Sequence, residues 1–335
     1  MRAVQLLGRG GYEQLSVCDS VPIPEPSVGE VLIRVGAAGV NNTDINTRVG
    51  WYSPDSGWSG DVPSYPRIQG ADACGEIVSI GAGVGAQRVG ERVIVEPVFR
   101  DPDVPGATAR YFGSEVDGAF AEFTVVPSRH AHRVVSALTD IELASFPCSY
   151  SAAENMTHRA GVTATDRVLV TGASGGVGSA AVQLARRHGA HVVAVASEDK
   201  RDAIVALGAN DVVGRDADIV GLFGEGSFDV VIDVVGGPGW PGLLRVLRPF
   251  GRYAAAGAIG GPVVALDLRV LYLKDLRLLG CTVLDDGVFA AVVAAIENDE
   301  IRPIVAATFL LDQIVAAQEC FLAKQHVGKI VLDCR

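Results

Sequence analysis

Short apolar runs alternate with amphipathic stretches through the middle of the chain. Val168 to Thr171 is a continuous apolar run, the pattern of a strand buried on both faces. The glycine-rich turn Gly172-Ala173-Ser174-Gly175-Gly176-Val177-Gly178 follows at once. From Ser179 to His188, Ala181, Val182, Leu184 and Ala185 recur at helical spacing; Gly189 stops that helix, and His191 to Ala196 is a second apolar run. Asp211 to Val213 predicts a third strand. Before this region, Met1 to Leu6 and Val31 to Val35 are strand-like, with Pro22, Pro24 and Pro26 marking a connector. A helix is expected from Ser149 to Met156. After it, Ala265 to Cys281 reads as strand, and Phe289 to Glu297 and Leu311 to Ala323 read as helices.

Strand, glycine turn, helix and strand within one compact stretch form a βαβ unit, the context in which a glycine motif carries chemistry. Gly175 permits a tight turn. Gly176 and Gly178 permit close approach of a pyrophosphate and of the helix to the sheet. The helix start offers N–H groups and the positive end of its dipole to a phosphate. Ala173 holds the first motif place, so the motif is A-x-G-x-x-G. A tight strand–helix turn with no ligand is the bland alternative. Ser197 ends the second strand, where an NAD site expects a carboxylate for the ribose diol. A hydroxyl there leaves room for a 2′-phosphate, which Lys200 and Arg215 would neutralise. NADPH is therefore expected over NADH. In the counter-reading Glu198 grips the ribose.

Composition narrows the class. A chain of 335 residues exceeds one ordinary core, so two domains are expected. A net charge of −11 disfavours nucleic acid and anionic membrane surfaces as partners. No apolar run is long enough for a transmembrane helix, and the N-terminal stretch lacks a signal peptide's core. The cysteines Cys18, Cys74, Cys148, Cys281, Cys320 and Cys334 are scattered without a C-x-x-C pair, which suits reduced thiols and a cytoplasmic location.

The segment Ala37 to Tyr52, with Gly39, Val40, Asn41, Asp44, Arg48, Gly50 and Tyr52, resembles the G-V-N-x-x-D-x-x-x-R-x-G-x-Y segment of zinc-independent quinone oxidoreductases, in the medium-chain dehydrogenase/reductase superfamily. Gly70 to Gly85, Val89 to Val93, Gly118 to Phe123, Phe228 to Gly237, Gly251 to Tyr253 and Val327 to Leu332 are similar to further segments in the same order. The resemblance spans essentially the whole chain. It implies an α/β architecture: a GroES-like β-barrel catalytic domain over 1–125, completed by 265–335, with a Rossmann domain of doubly wound parallel sheet inserted over 126–264. It also implies a homodimer paired through strands near Leu278 to Val283.

The resemblance bears on metals as well. The lobe that holds a structural zinc in zinc alcohol dehydrogenases corresponds to Glu96 to Val116, which contains no cysteine. At the catalytic-zinc positions stand Asn41, Ala71 and Cys148, with Asp72 beside Ala71. An amide, a methyl, a carboxylate and one thiol make a poor zinc site. The segments Ser53 to Tyr65 and Pro97 to Glu115 are longer than in compact quinone reductases.

Without a metal to lower an alcohol's pKa, hydride transfer to an activated C=C or a quinone is the expected chemistry, on a small-molecule electrophile. The resemblance places Asn41 and Tyr52 in the nicotinamide pocket, with Arg48 and Tyr150 as further donors and Asp44 as a loop anchor. Gly257, Ala258 and Ile259 are expected to offer backbone contacts to the nicotinamide amide. Trp51 and Trp58 are candidates for a substrate wall. His130, His132 and His158 are alternative proton donors outside any motif. Three rival functions remain at this point: a zinc alcohol dehydrogenase with an atypical site, an enoyl-thioester reductase, and a non-catalytic NADPH-binding protein.

Overall fold

The strand Glu30–Val40 carries the largest share of pairing in the first of two units. It lies antiparallel to Cys74–Ile80, Phe123–Pro127 and Lys329–Asp333. Its apolar residues Val31, Ile33, Val35, Ala38 and Val40 enter the core with Ile77, Val93, Phe120, Ile330 and Leu332. This unit comprises Met1–Cys148 with Arg302–Arg335, and Ser149–Ile301 form the other. The structure, a computed structural model, describes residues 1–53, 64–100 and 108–335.

The boundaries differ from those expected at 126 and 264, for a reason visible in the pairing. Phe123–Pro127 and Ala131–Arg133 are barrel strands, bonded to Glu30–Val40 and Arg92–Val95. Regular βα alternation begins only after the helix Pro147–Ala160, which is longer than the expected Ser149–Met156. At the other end, Arg277–Gly280 lies parallel to Leu247–Ala255 and so belongs to the Rossmann sheet. The stretch from Ala265 to Cys281 is also not all strand. Asp267 caps a helix over Leu268–Leu273 by accepting the Arg269 N–H at 2.9 Å.

In the second unit the described strands form a parallel sheet ordered Asp211–Val213, His191–Val195, Arg167–Val170, Phe228–Asp233, Leu247–Ala255, Arg277–Gly280. Sequence order therefore reverses between Arg167–Val170 and Phe228–Asp233. A doubly wound sheet opens a crevice at the carboxyl ends of two such strands. The helix Gly176–Arg187 covers this sheet with Ala180, Ala181, Val182, Leu184 and Ala185, all buried.

In the first unit the helix Asn42–Val49 follows directly on the central strand. Asn41 is extended at the helix start, and its N–H donates to Asp44 Oδ2 at 2.7 Å. The Gly70 N–H reaches Asp44 Oδ1 at 3.2 Å. Asp44 thus pins the helix start to the loop before Cys74–Ile80, as expected of a loop anchor. Burial pushes its carboxyl up to about 7; the Asn41 N–H and Lys329 oppose the rise, and Asp72 adds to it.

A carboxyl at about 7 in the fold, against 3.8 in an open chain, binds more protons folded than unfolded. Its contribution to stability is full below pH 4 and is lost as pH rises to about 7. Urea unfolding of Asp44→Asn beside the parent chain checks this. The parent should lose on the order of 2–4 kcal/mol relative to the variant between pH 4 and 7.5. A constant difference across that range would remove Asp44 as the titrating group.

Candidate functional site

The Rossmann unit brings most of the expected nucleotide-binding residues to the carboxyl ends of its strands. The tight turn lies at Gly172 (φ 58), not at Gly175, which is extended (φ −78) and caps the helix Gly176–Arg187. Gly178 is where the helix crosses the turn. A Cβ on it would lie 2.2 Å from the Gly172 carbonyl oxygen, so only glycine fits. Ala173 is buried and donates its N–H to Val195 O at 3.1 Å, tying the turn to the second strand. Ser174, Gly176 and Val177 are partly exposed beside the helix start. The first-turn N–H groups of this helix lack intrahelical acceptors and suit a pyrophosphate. This turn fits a dinucleotide.

At the end of the second strand Ser197 precedes Glu198 and Asp199. Lys200 is buried, and burial lowers its ammonium; Asp199 opposes that shift and Arg215 reinforces it. Two cations therefore lie near Ser197. Ser197, Gly214 and Arg215 also line one surface cleft. Glu198 is held by Arg201 through bonds of 2.6 and 2.9 Å. Its side chain is largely exposed, so this surface pair leaves acceptor sites that a ribose diol could still use.

One residue that the sequence reading passed over organises the strand ends. Asp233 is fully buried at the end of Phe228–Asp233. Its carboxylate accepts from the Thr171 hydroxyl, from Tyr253 OH at 2.5 Å, and from the N–H groups of Val235 (2.9 Å) and Gly236 (3.1 Å). It thereby joins the ends of the first, fourth and fifth strands. The following loop is bonded to the next one, Gly260 N to Val235 O at 2.7 Å and Gly237 N to Gly261 O at 3.1 Å. This fixes the backbone of Gly257, Ala258 and Ile259 at the sheet's carboxyl edge. Tyr150, also in this unit, is buried and accepts from Gln183 Nε2 at 2.7 Å; burial raises its phenol.

In the barrel unit the expected catalytic residues separate into different roles. Asn41 is buried and saturated. Its Nδ2 donates to Asp72 Oδ2 at 2.8 Å and to Gly39 O at 3.3 Å, and its Oδ1 accepts from Lys329 Nζ at 2.5 Å. An amide with both N–H groups engaged has no donor left for a substrate oxygen. Arg48 is buried, with two of its five N–H groups engaged among the described residues. Its guanidinium donates to Gln318 Oε1 and Gly10 O, each at 3.0 Å, and lies over the Tyr12 ring. Tyr52 differs. It is partly exposed, and Asn46 Nδ2 reaches its hydroxyl at 3.4 Å. Trp51 is exposed, and Trp58 lies outside the described residues. His130 and His132 both bond Glu96 Oε2 at 3.1 Å, and His158 is exposed on its helix.

Lys329 is the second residue missed. It begins the C-terminal strand Lys329–Asp333, and its Nζ lies 2.7 Å from Asp72 Oδ2, with both residues buried. Asp72 Oδ1 accepts the Cys148 N–H at 2.5 Å. Burial pushes the Cys148 thiol up to about 12; Asp72 adds to the rise and Lys329 offsets part of it. Zinc binds thiolate, imidazole or carboxylate donors. Here a saturated amide, the methyl of Ala71, a neutral thiol and a carboxylate already paired with an ammonium stand at the corresponding positions. This donor set does not fit zinc.

Comparisons with known proteins agree with the whole-chain resemblance. Residues 27–136 match the alcohol dehydrogenase GroES-like domain family, and residues 176–298 match the zinc-binding dehydrogenase family. An acryloyl-coenzyme A reductase of Metallosphaera sedula is 31% identical, over 99% of each chain. A quinone oxidoreductase of Rattus norvegicus is 28% identical, over 99% of this chain and 97% of its own. A crystal structure of a candidate alcohol dehydrogenase from Sinorhizobium meliloti superposes with a TM-score of 0.93 at 45% identity, covering 99% of this chain and 96% of that one. With the reversed strand order, the glycine turn and the GroES-like barrel in place, the chain belongs to the medium-chain dehydrogenase/reductase superfamily of NAD(P)H-dependent oxidoreductases.

Proposed function

We propose that this protein uses NADPH to reduce a carbon–carbon double bond conjugated to a carbonyl, or a quinone, without a catalytic metal. The observation that supports the reading is the donor set at positions 41, 71, 72 and 148: a saturated amide, a methyl, a carboxylate paired with the Lys329 ammonium, and a buried thiol. The names of the relatives point the same way. An acryloyl thioester and a quinone are both conjugated acceptors. An overall charge of −11 gives no hint of a basic entrance for a coenzyme A phosphate, but the relatives bring an enoyl thioester within this acceptor class.

NADPH supplies the hydride. The glycine turn and the start of Gly176–Arg187 hold its pyrophosphate, Lys200 and Arg215 its 2′-phosphate, and the backbone of Gly257 to Ile259 its nicotinamide amide. Hydride adds to the β-carbon of the acceptor, and the electron pair of the double bond moves toward the carbonyl oxygen. A donor must then hold that oxygen, and a proton completes the two-electron reduction. Tyr52 takes the donor role, because the Asn41 amide is saturated, Arg48 is buried against Gln318 and Gly10, and Tyr52 is the partly exposed residue of the three. We also read the edge strand Arg277–Gly280, with Leu278 exposed and Tyr272 and Leu273 exposed nearby, as the surface on which a second copy pairs.

A panel of a 1,4-quinone, an enone, an enoyl thioester and a simple aldehyde, with NADPH or NADH and a parallel zinc analysis, tests the reading. Turnover of a conjugated acceptor by zinc-free protein is expected. Aldehyde turnover that rises with bound zinc would overturn it in favour of an alcohol dehydrogenase. On the best acceptor, Tyr52→Phe should lower kcat about ten-fold with NADPH affinity unchanged. An unaltered rate removes Tyr52 from the mechanism. Lys200→Ala should weaken NADPH by about 1.5–3 kcal/mol and NADH far less. Equal weakening of both would leave Lys200 with only a loop-shaping role. Sedimentation equilibrium should find dimers, and a monomer at micromolar concentration would remove the assignment of the edge strand.

A further inference from the structure

Hydride transfer as proposed leaves one buried charge without a task. Lys329 and Asp72 are both buried, and a buried ion pair is a poor way to gain stability, since apolar residues of similar size serve as well. What distinguishes this pair is the set of chain segments it gathers. Asp72 accepts from Asn41 Nδ2, from the Cys148 N–H and from Lys329 Nζ, and the same ammonium donates to Asn41 Oδ1. Four segments distant in sequence therefore meet at one carboxylate, whose cation also holds Asn41.

Three of those segments are the ones at which zinc-binding members of the superfamily place metal ligands. A metal there would fix the segments from a single centre. Here the ammonium and its counter-ion provide that centre through hydrogen bonds. Asn41 stands at the start of the helix Asn42–Val49, and three residues past that helix lies Tyr52, with Asn46 Nδ2 reaching its hydroxyl. The start of the helix and the phenol at its far end are thus parts of one short rigid piece.

We propose that Lys329 is a positioning residue. Its charge, fixed by Asp72, holds Asn41 and the helix Asn42–Val49 in the orientation that presents Tyr52. The consequence for turnover rests on the proposed role of Tyr52; the consequence for the helix does not.

Three variants test it: Lys329→Met, Lys329→Arg, and Lys329→Met combined with Asp72→Asn, which leaves no uncompensated buried charge if the single variant fails to fold. Amide hydrogen exchange over residues 42–52 is followed alongside kcat, KM and melting temperature. Lys329→Met should raise exchange in that segment about ten-fold and leave the Rossmann sheet protected, and Lys329→Arg should restore most of the protection. The charge-free pair should regain melting temperature but keep the raised exchange, with kcat about ten-fold down and NADPH affinity unchanged. Parent-like exchange and kcat in the charge-free pair would overturn the proposal and leave Lys329 as a packing residue. A parent protein inactive on every conjugated acceptor would sink the proposed function alone, and the exchange arm would still decide on Lys329.

Discussion

The desolvation of Asp72 is the constraint on which the barrel unit turns. A carboxylate with no exposed surface must have its lone pairs satisfied, and removing one partner of such a charge costs about 3–5 kcal/mol. The partners come from the start of one helix, the first turn of another and the C-terminal strand. No short segment can satisfy that carboxylate alone. The requirement therefore joins distant parts of the chain, and the barrel cannot be assembled piecemeal around it.

The Rossmann unit solves a similar problem with a different partner set. Among the described residues the hydrogen-bond partners of Asp233 are a hydroxyl, a phenol and two backbone N–H groups, with no cation. Neutral donors around a buried carboxylate leave its charge unneutralised but fixed in place. The two buried carboxylates do different work. Asp233 sets the level of the strand ends beside the nucleotide-binding turn, whereas Asp72 gathers segments that carry candidate chemistry.

Local patterns made the nucleotide half legible. The Gly172–Gly178 turn, the helix behind it and the strand His191–Val195 follow from residue spacing, because period and turn chemistry act over a few residues. The domain limits were harder. Phe123–Pro127 and Arg277–Gly280 are short apolar strands, and nothing within them says which sheet they join. The catalytic assignments were hardest. Asn41 and Arg48 match a motif, yet the Asn41 amide is used up by Asp72 and Gly39 and Arg48 is buried against Gln318 and Gly10, partners that only the fold supplies. Lys329 stood in plain view within Val327 to Leu332, a charge leading an otherwise apolar run. That is the kind of signal a strand pattern alone invites one to pass over.

The position of Lys329–Asp333 has a consequence for how the molecule comes into being. A ribosome releases the Rossmann residues, which end at Ile301, before it releases the strand that closes the barrel sheet against Glu30–Val40. The nucleotide-binding half is complete in sequence while the barrel still lacks both a central strand and the ammonium that neutralises Asp72. Domains fold as units during synthesis. On that basis the redox cofactor's binding half matures first. The half that carries Tyr52 waits for Lys329–Asp333, so a product truncated before that strand would keep an intact Rossmann unit while lacking the strand that closes the barrel sheet.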